Sequence, residues 1–351
     1  MIYILKQFLR QLIELFIFDS ARRLASAKEL MFAVESGDLK GLKEIIIEHR
    51  RWRNASKWIT LIDKKGRTPL HVASLHGHGK IMRFIIEGLI ESIPDKEIRK
   101  DYINVSDKKG RTALYHASTG GHTFVLRSLI EVGIDMEKAT NARHPAPGST
   151  AIMASAEKGH TECFNVLMDL GADLLAKRKD GADAFYLAAM NGHVDIVDSI
   201  VNTEHMRIVC HDIVDKATYR NRTPLCTAAF HGHLSIVKML FAHGANLNHQ
   251  DDDNFSPLIL ASYEGHLKVV KWLLRNGSDI TCKDKFGDTA IESSDICGHT
   301  EVYSFLVKWQ NVDCDDSLRK ESVASETGYS KATIDLTKQK LSKSKVLAAF
   351  R

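Results

Sequence analysis

The 351-residue chain is poor in most features that would place it in a specialised class. Proline is scarce, at six, and 22 glycines are too few for a collagen-like or low-complexity chain. The six cysteines, at 163, 210, 226, 282, 297 and 314, include no CxxC pair. A chain of this size does not need disulfides, so the expected location is cytoplasmic, with the nucleus left open. No stretch of eighteen residues passes without a charge, which excludes an ordinary transmembrane helix. Neither sign of charge dominates: 48 Lys+Arg against 44 Asp+Glu leave +4, so net charge argues for no nucleic-acid partner. With 44% apolar and 26% charged residues, the chain has an ordinary composition for a soluble protein with a buried core.

Catalytic and cofactor motifs are missing as well. There is no GxxxxGK[ST], GxGxxG or GxSxG, so nucleotide binding and nucleophilic catalysis have no motif to rest on. Seventeen histidines invite a metal reading, but none stands in an HExxH or paired Cys/His spacing. The sequence therefore gives no enzyme, no cofactor and no metal site.

What is present is a repeat. Seven Gly-His dipeptides begin at Gly77, Gly121, Gly159, Gly192, Gly232, Gly265 and Gly298, spaced by 44, 38, 33, 40, 33 and 33 residues. Nine residues before each glycine stands a helix N-cap type: Thr68, Thr112, Thr150, Asp183, Thr223, Ser256 and Thr289. A short helix runs from that cap to the glycine. A second follows it with apolar residues at helical spacing, as at Val269, Val270, Leu273 and Leu274, and stops at a further glycine such as Gly277. Asp-x-x-Gly turns (Asp63 to Gly66, Asp107 to Gly110, Asp284 to Gly287) lead into the next cap. Departures from 33 are insertions at residues 49–62, 87–106, 139–147 and 202–217, which surface connections tolerate at low entropic cost.

Thr68-Pro69-Leu70-His71 with Ala73, and the near copies Thr223-Pro224-Leu225 and Ser256-Pro257-Leu258, resemble the core of the ankyrin repeat. His233 to Leu240 followed by Gly244-Ala245-Asn246 resembles its second helix and stop. A degenerate eighth unit, with Ala33, Gly37 and Asp38 at matching offsets, reads as an N-terminal cap repeat. The resemblance implies an all-α solenoid of about eight stacked helix–turn–helix units over residues 27–309, joined by β-hairpin-like loops.

Two flanks remain. In residues 1–26, Ile2, Leu5, Leu9, Leu12 and Phe16 share one helical face, with Gln7, Arg10, Gln11 and Glu14 opposite. This reads as a capping helix rather than a membrane-surface helix, whose polar face would be densely basic. Residues 310–351 are rich in Ser and Lys and read as a disordered tail. The tail carries Ser322 after Arg319-Lys320-Glu321, the spacing of a basophilic phosphorylation site.

Family resemblance also places partner contacts, at the hairpin tips and the inner face of each first helix. At the tips these are Lys64, Lys65 and Arg67, then Lys108, Lys109 and Arg111, from the hexapeptide DKKGRT that occurs at both 63–68 and 107–112. Arg220 and Arg222 continue the basic trend before Asp251, Asp252 and Asp253 invert it. On the helices the positions include Met190, Phe230, His231 and Tyr263, expected to be exposed anchors. Cys163 is expected in the core and Cys297 nearer the surface. The leading function is a non-enzymatic adaptor or scaffold binding an acidic or phosphorylated segment of another protein. Two alternatives stand beside it. A ubiquitin-ligase substrate receptor would carry a cullin-adaptor box, which 310–351 does not show. A nucleic-acid-associated regulator is disfavoured by the small net charge.

Overall fold

The computed structural model describes residues 27–48, 58–93, 95–202 and 214–311, and all regular structure among them is helical. The chain divides into two compact bodies, residues 1–178 and 179–351. In the first body, α1 (27–36) pairs with α2 (Leu39–Glu48) and α3 (Pro69–His76) with α4 (Gly79–Ser92). An inserted helix, α5 (Lys96–Ile103), precedes the pairs α6 (Ala113–Gly120) with α7 (Thr123–Glu131), and α8 (Ala151–Lys158) with α9 (Thr161–Asp169). The second body holds α10 (Ala184–Asn191) with α11 (Val194–Asn202), and α12 (Pro224–Phe230) with α13 (Leu234–Ala242). It continues with α14 (Pro257–Tyr263) and α15 (Leu267–Arg275), then α16 (Ala290–Ile296) and α17 (Thr300–Asn311).

Each short first helix begins where the sequence places its cap. The side chains of Thr68, Thr112, Asp183, Thr223 and Ser256 accept the backbone N–H three residues on, and Thr289 accepts that of Ile291. Thr150 sits at the same place without making the bond. Proline follows Thr68, Thr223 and Ser256, where its missing N–H costs the helix nothing. In the interior repeats, from α3 to α14, these helices are buried nearly all round, and small residues such as Ala188, Ala189, Ala228 and Ala229 make room for their neighbours. The second helices bury one face only. On α4 that face is Ile81, Met82, Ile85, Ile86 and Leu89, and on α15 it is Val269, Val270, Leu273 and Leu274. Each such side chain contributes about 1.5–3 kcal/mol on burial. Cys163 is in this core as expected; Cys297, which closes α16, is buried too, against expectation.

The Gly-His pairs lock one repeat to the next. In each, the glycine takes the left-handed conformation, for example φ +76° at Gly232. The histidine reaches back, its Nε2–H donating to a carbonyl of the preceding repeat: His78 to Glu35, His122 to Leu75, His160 to Thr119, His233 to Met190 and His266 to Phe230, at 2.9–3.1 Å. To make that bond the ring lies against the preceding repeat's glycine. A Cβ on Gly232 would stand 2.6 Å from the ring of His266. Glycine is therefore required twice over, for its backbone angle and for its lack of a side chain.

The insertion at 87–106 extends α4 to Ser92 and then forms α5. Its end is tied back to the third repeat: Asn104 Oδ1 accepts the Asp135 N–H at 2.7 Å, and Lys138 Nζ donates to the Asn104 carbonyl at 2.6 Å. The amphipathic segment 2–18, the tail with Ser322, and most of the insertions at 49–62 and 202–217 lie outside the described residues.

Two glycines separate the contributions of angle and space. Gly277 ends α15 at φ +96° with nothing within 4 Å of a built Cβ. Gly277→Ala is expected to cost about 1 kcal/mol of backbone strain. Gly232→Ala should cost about 3 kcal/mol, since the same strain is joined by a displaced histidine ring. Urea denaturation of the two variants side by side measures the difference.

Candidate protein-binding surface

The two DKKGRT loops of the first body are built alike. Asp63 Oδ1 accepts the backbone N–H groups of Lys65 and Arg67, both at 2.8 Å, while Oδ2 accepts Arg67 Nε at 2.7 Å. Asp107 does the same for Lys109 and Arg111, at 2.9, 2.9 and 2.8 Å. The backbone adds Gly66 N–H to the Asp63 carbonyl and Gly110 N–H to that of Asp107, each at 2.9 Å. Successive tips are then joined edge to edge, Lys108 N–H to the Lys65 carbonyl at 3.1 Å and Asn141 N–H to the Lys109 carbonyl at 3.0 Å. Lys108 Nζ also donates to the Lys64 carbonyl at 2.7 Å. One main-chain bond per repeat thus holds the loops in register without making a strand.

This geometry sorts the six sequence-derived cations into two kinds. Lys64, Lys65, Lys108 and Lys109 are exposed, and the Lys108 ammonium reaches the Lys64 carbonyl of the neighbouring loop. Arg67 and Arg111 are not free surface cations, as the sequence reading had them. Their side chains are 12% and 22% exposed, each spent on the aspartate of its own turn. On the inner helices beside these loops, His76 is exposed 3.7 Å from Glu35, and Glu157 lies 3.4 Å from Lys158 and 3.7 Å from Arg178.

The second body departs further from expectation. Phe230 and Tyr263 are buried, at 9% and 5% exposure, instead of presenting exposed anchors. Arg222 is buried as well, its Nε 2.8 Å from Asp251 Oδ2. Asp251 in turn accepts the N–H groups of Asp253 and Phe255, so neither residue belongs to an exposed patch. Arg220 is exposed but its carbonyl is bonded to Asp252 N–H, and Lys285 Nζ lies 2.6 Å from Asp253. Of the inner-face residues, His231 is exposed and Met190 half-buried. The basic loop character is a property of the first body. Sequence reasoning also missed two turns in the second body, where Asn221 and Asn254 (φ +55° and +59°) take the glycine's place. Asparagine's tolerance of that region was the available signal.

Between the second and third repeats lies a buried polar cluster. His71 Nδ1 accepts the Thr68 N–H at 3.1 Å, and its Nε2–H donates to the Arg111 carbonyl at 3.1 Å. His116 Nε2 is 3.3 Å from Asp107 Oδ2, and the two imidazoles meet edge to face at 5.6 Å. Burial, with the neighbouring His116, pushes His71 down to about 4. Burial also lowers His116. The hydrogen bonds of His116 and Arg111 hold Asp107 far below the usual carboxylate range despite its burial. No group of three or more His, Cys, Asp or Glu among the described residues could hold a metal ion.

Stacked helix pairs, inter-repeat histidine bonds and zipped loop tips together match one family, and a model of ankyrin repeats fits three times, over residues 30–140, 137–212 and 203–284. The chain belongs to the ankyrin-repeat family. Among its relatives are alpha-latrocrustotoxin-Lt1a of Latrodectus tredecimguttatus, 30% identical over 34% of this chain and 8% of the toxin. Another is a transient receptor potential cation channel subfamily A member 1 homolog of Caenorhabditis elegans, 28% identical over 30% of this chain and 8% of the relative. A third is protein fem-1 homolog A-like of Mus musculus, 31% identical over 30% of this chain and 14% of the relative. The matches thus span only a small part of those proteins' length. Ankyrin repeats are protein-interaction modules, and the chain is accordingly a protein-binding one. No helix among the described residues is long and apolar enough to cross a membrane.

The buried His71 gives stability a pH dependence of definite sign. Above pH 6.5 the imidazole is neutral in both the folded and unfolded chain. Between 6.5 and about 4 the unfolded chain takes up a proton that the native site resists, so stability falls as pH falls. The loss from this group approaches about 3 kcal/mol by pH 4. Denaturation between pH 7.5 and 4.5, in native protein and in His71→Leu, is expected to show a shallower slope in the variant.

Proposed function

We propose that the protein is a non-enzymatic adaptor whose first body docks an acidic or phosphorylated segment of a partner protein on its loop tips. The observation that carries this reading is the display of Lys64, Lys65, Lys108 and Lys109. All four are exposed, on two loops bonded to each other, with the loop-shaping aspartates already neutralised by Arg67 and Arg111. Repeat spacing sets the two loops about 10 Å apart, comparable to the Debye length at physiological salt, so their fields add. The loops are already held by hydrogen bonds within and between them, which lowers the entropic cost of ordering them against a partner. Anchoring contacts in this reading come from the adjoining first helices of the same body, at Leu75, His76 and Thr119.

Replacing the four lysines with Gln is expected to leave the melting temperature within about 2 °C, because none fills the core and the one side-chain tie lost, Lys108 Nζ to the Lys64 carbonyl, is exposed. Affinity capture followed by mass spectrometry, in native and quadruple-variant protein, tests the reading. Partners captured by the native form should carry acidic or phosphorylated segments, be lost in the variant, and elute at raised salt. If the same partners are retained by the variant at low salt, the tips take no part in binding. Arg67→Gln and Arg111→Gln should behave differently, lowering stability by about 1–3 kcal/mol through the loss of a charged hydrogen bond.

A further inference from the structure

The outward faces of three second helices carry a pattern that the tip surface does not use. Residues on the solvent side of α2 are Lys40, Lys43, Glu44, Ile47 and Glu48, and on α4 they are Lys80, Arg83, Glu87, Ile90 and Glu91; on α7 they are Phe124, Arg127 and Glu131. All thirteen are exposed. In each helix the cations occupy the first half and the carboxylates the second. The dividing point falls near residues 44, 85 and 129, at almost the same distance beyond Gly37, Gly77 and Gly121. The three helices are neighbours: Lys43 Nζ lies over the Phe84 ring at 5.2 Å, and the Arg83 guanidinium over the Phe124 ring at 5.6 Å. The face is therefore two parallel rows, one positive and one negative, with Ile47, Ile90 and Phe124 as exposed apolar side chains among them (67%, 45% and 54%).

Helix stability does not account for this arrangement. Lys40 and Lys80 stand in first turns, and Glu48, Glu91 and Glu131 in last turns, each the unfavourable sign for the helix dipole. Nor does pairing within the face. Lys40 approaches Glu44 only at 3.9 Å with both side chains largely exposed, and Lys43 and Arg83 rest on aromatic rings, which leaves their charge undiminished. A bilayer or a nucleic acid presents one sign of charge and would meet the carboxylate row with repulsion. A surface with both rows in the opposite order is what fits, and a two-fold rotation about an axis along the rows supplies one. The partner's helices then run antiparallel, setting Lys40 and Lys43 against Glu48 and Glu44, Lys80 and Arg83 against Glu91 and Glu87, and Arg127 against Glu131.

We propose that this face is a self-complementary docking surface for a second copy of the chain, forming a symmetric dimer through α2, α4 and α7. Helices of this length, set side by side at repeat spacing, give a face of about 20 by 30 Å. That is near the lower bound of stable interfaces, so the dimer is weak and its population depends on concentration and salt. Both copies keep their loop tips available, and the pairing brings two tip arrays into one assembly.

The test is a charge exchange in the full-length chain, read by sedimentation velocity across a concentration series at low and high salt. Native protein is expected to dimerise reversibly at low salt and to dissociate at high salt. A variant with Lys40, Lys43, Lys80, Arg83 and Arg127 all changed to Glu should be monomeric. So should a variant with Glu44, Glu48, Glu87, Glu91 and Glu131 all changed to Lys. Mixing the two should restore a dimer, a result that a folding defect in either cannot produce. The milder Arg83→Glu, checked by its melting curve, should weaken association about tenfold or more. The four-lysine tip variant should dimerise like native protein, which separates this proposal from the docking function of the tips. Native protein that is monomeric at every concentration, or a mixture of the two charge variants that fails to associate, overturns the proposal. Binding of native protein to phosphatidylserine vesicles without self-association would assign the face to a membrane instead.

Discussion

The structure depends on one close approach repeated along the chain, in which an imidazole of one repeat lies flat on a glycine of the repeat before it. The contact satisfies a carbonyl left over at the end of a short helix, and it fixes the distance between neighbouring pairs of helices. Short helices buried on nearly every side leave few other places for a polar tie. The apolar core supplies most of the free energy but little direction. The histidine bond, together with the backbone bond between loop tips, supplies the direction.

Much of this was legible in the sequence. The caps at Thr68, Thr112, Asp183, Thr223, Ser256 and Thr289, and the left-handed stop at each Gly-His pair, followed from local backbone chemistry that needs no tertiary information. The site was less legible because exposure is a tertiary property. Phe230 and Tyr263 occupy the register of a family contact, yet both rings are buried once the repeats stack. Arg67, Arg111 and Arg222 looked like surface charge. Whether an arginine is displayed or spent depends on an aspartate only four residues earlier in two cases, and twenty-nine residues later in the third.

The DKKGRT loops show how a short segment divides its labour. Its aspartate and arginine close the turn on themselves, glycine turns the chain, threonine starts the helix, and the two lysine side chains close no turn. Four of six residues are committed to shape, so the display of charge adds no structural demand. That economy is why the same hexapeptide serves at two successive loops with the same geometry.

The histidine bonds also bear on how the chain folds. Each joins residues between 36 and 47 apart in sequence, whichever repeat it belongs to. Loop-closure entropy varies only with the logarithm of that separation, so every lock closes at nearly the same entropic cost, insertions included. No tie has to wait for the far end of the chain to be made. Contact order is therefore low for a chain this long. Ordering can start at any adjacent pair of repeats and spread outward, one lock at a time.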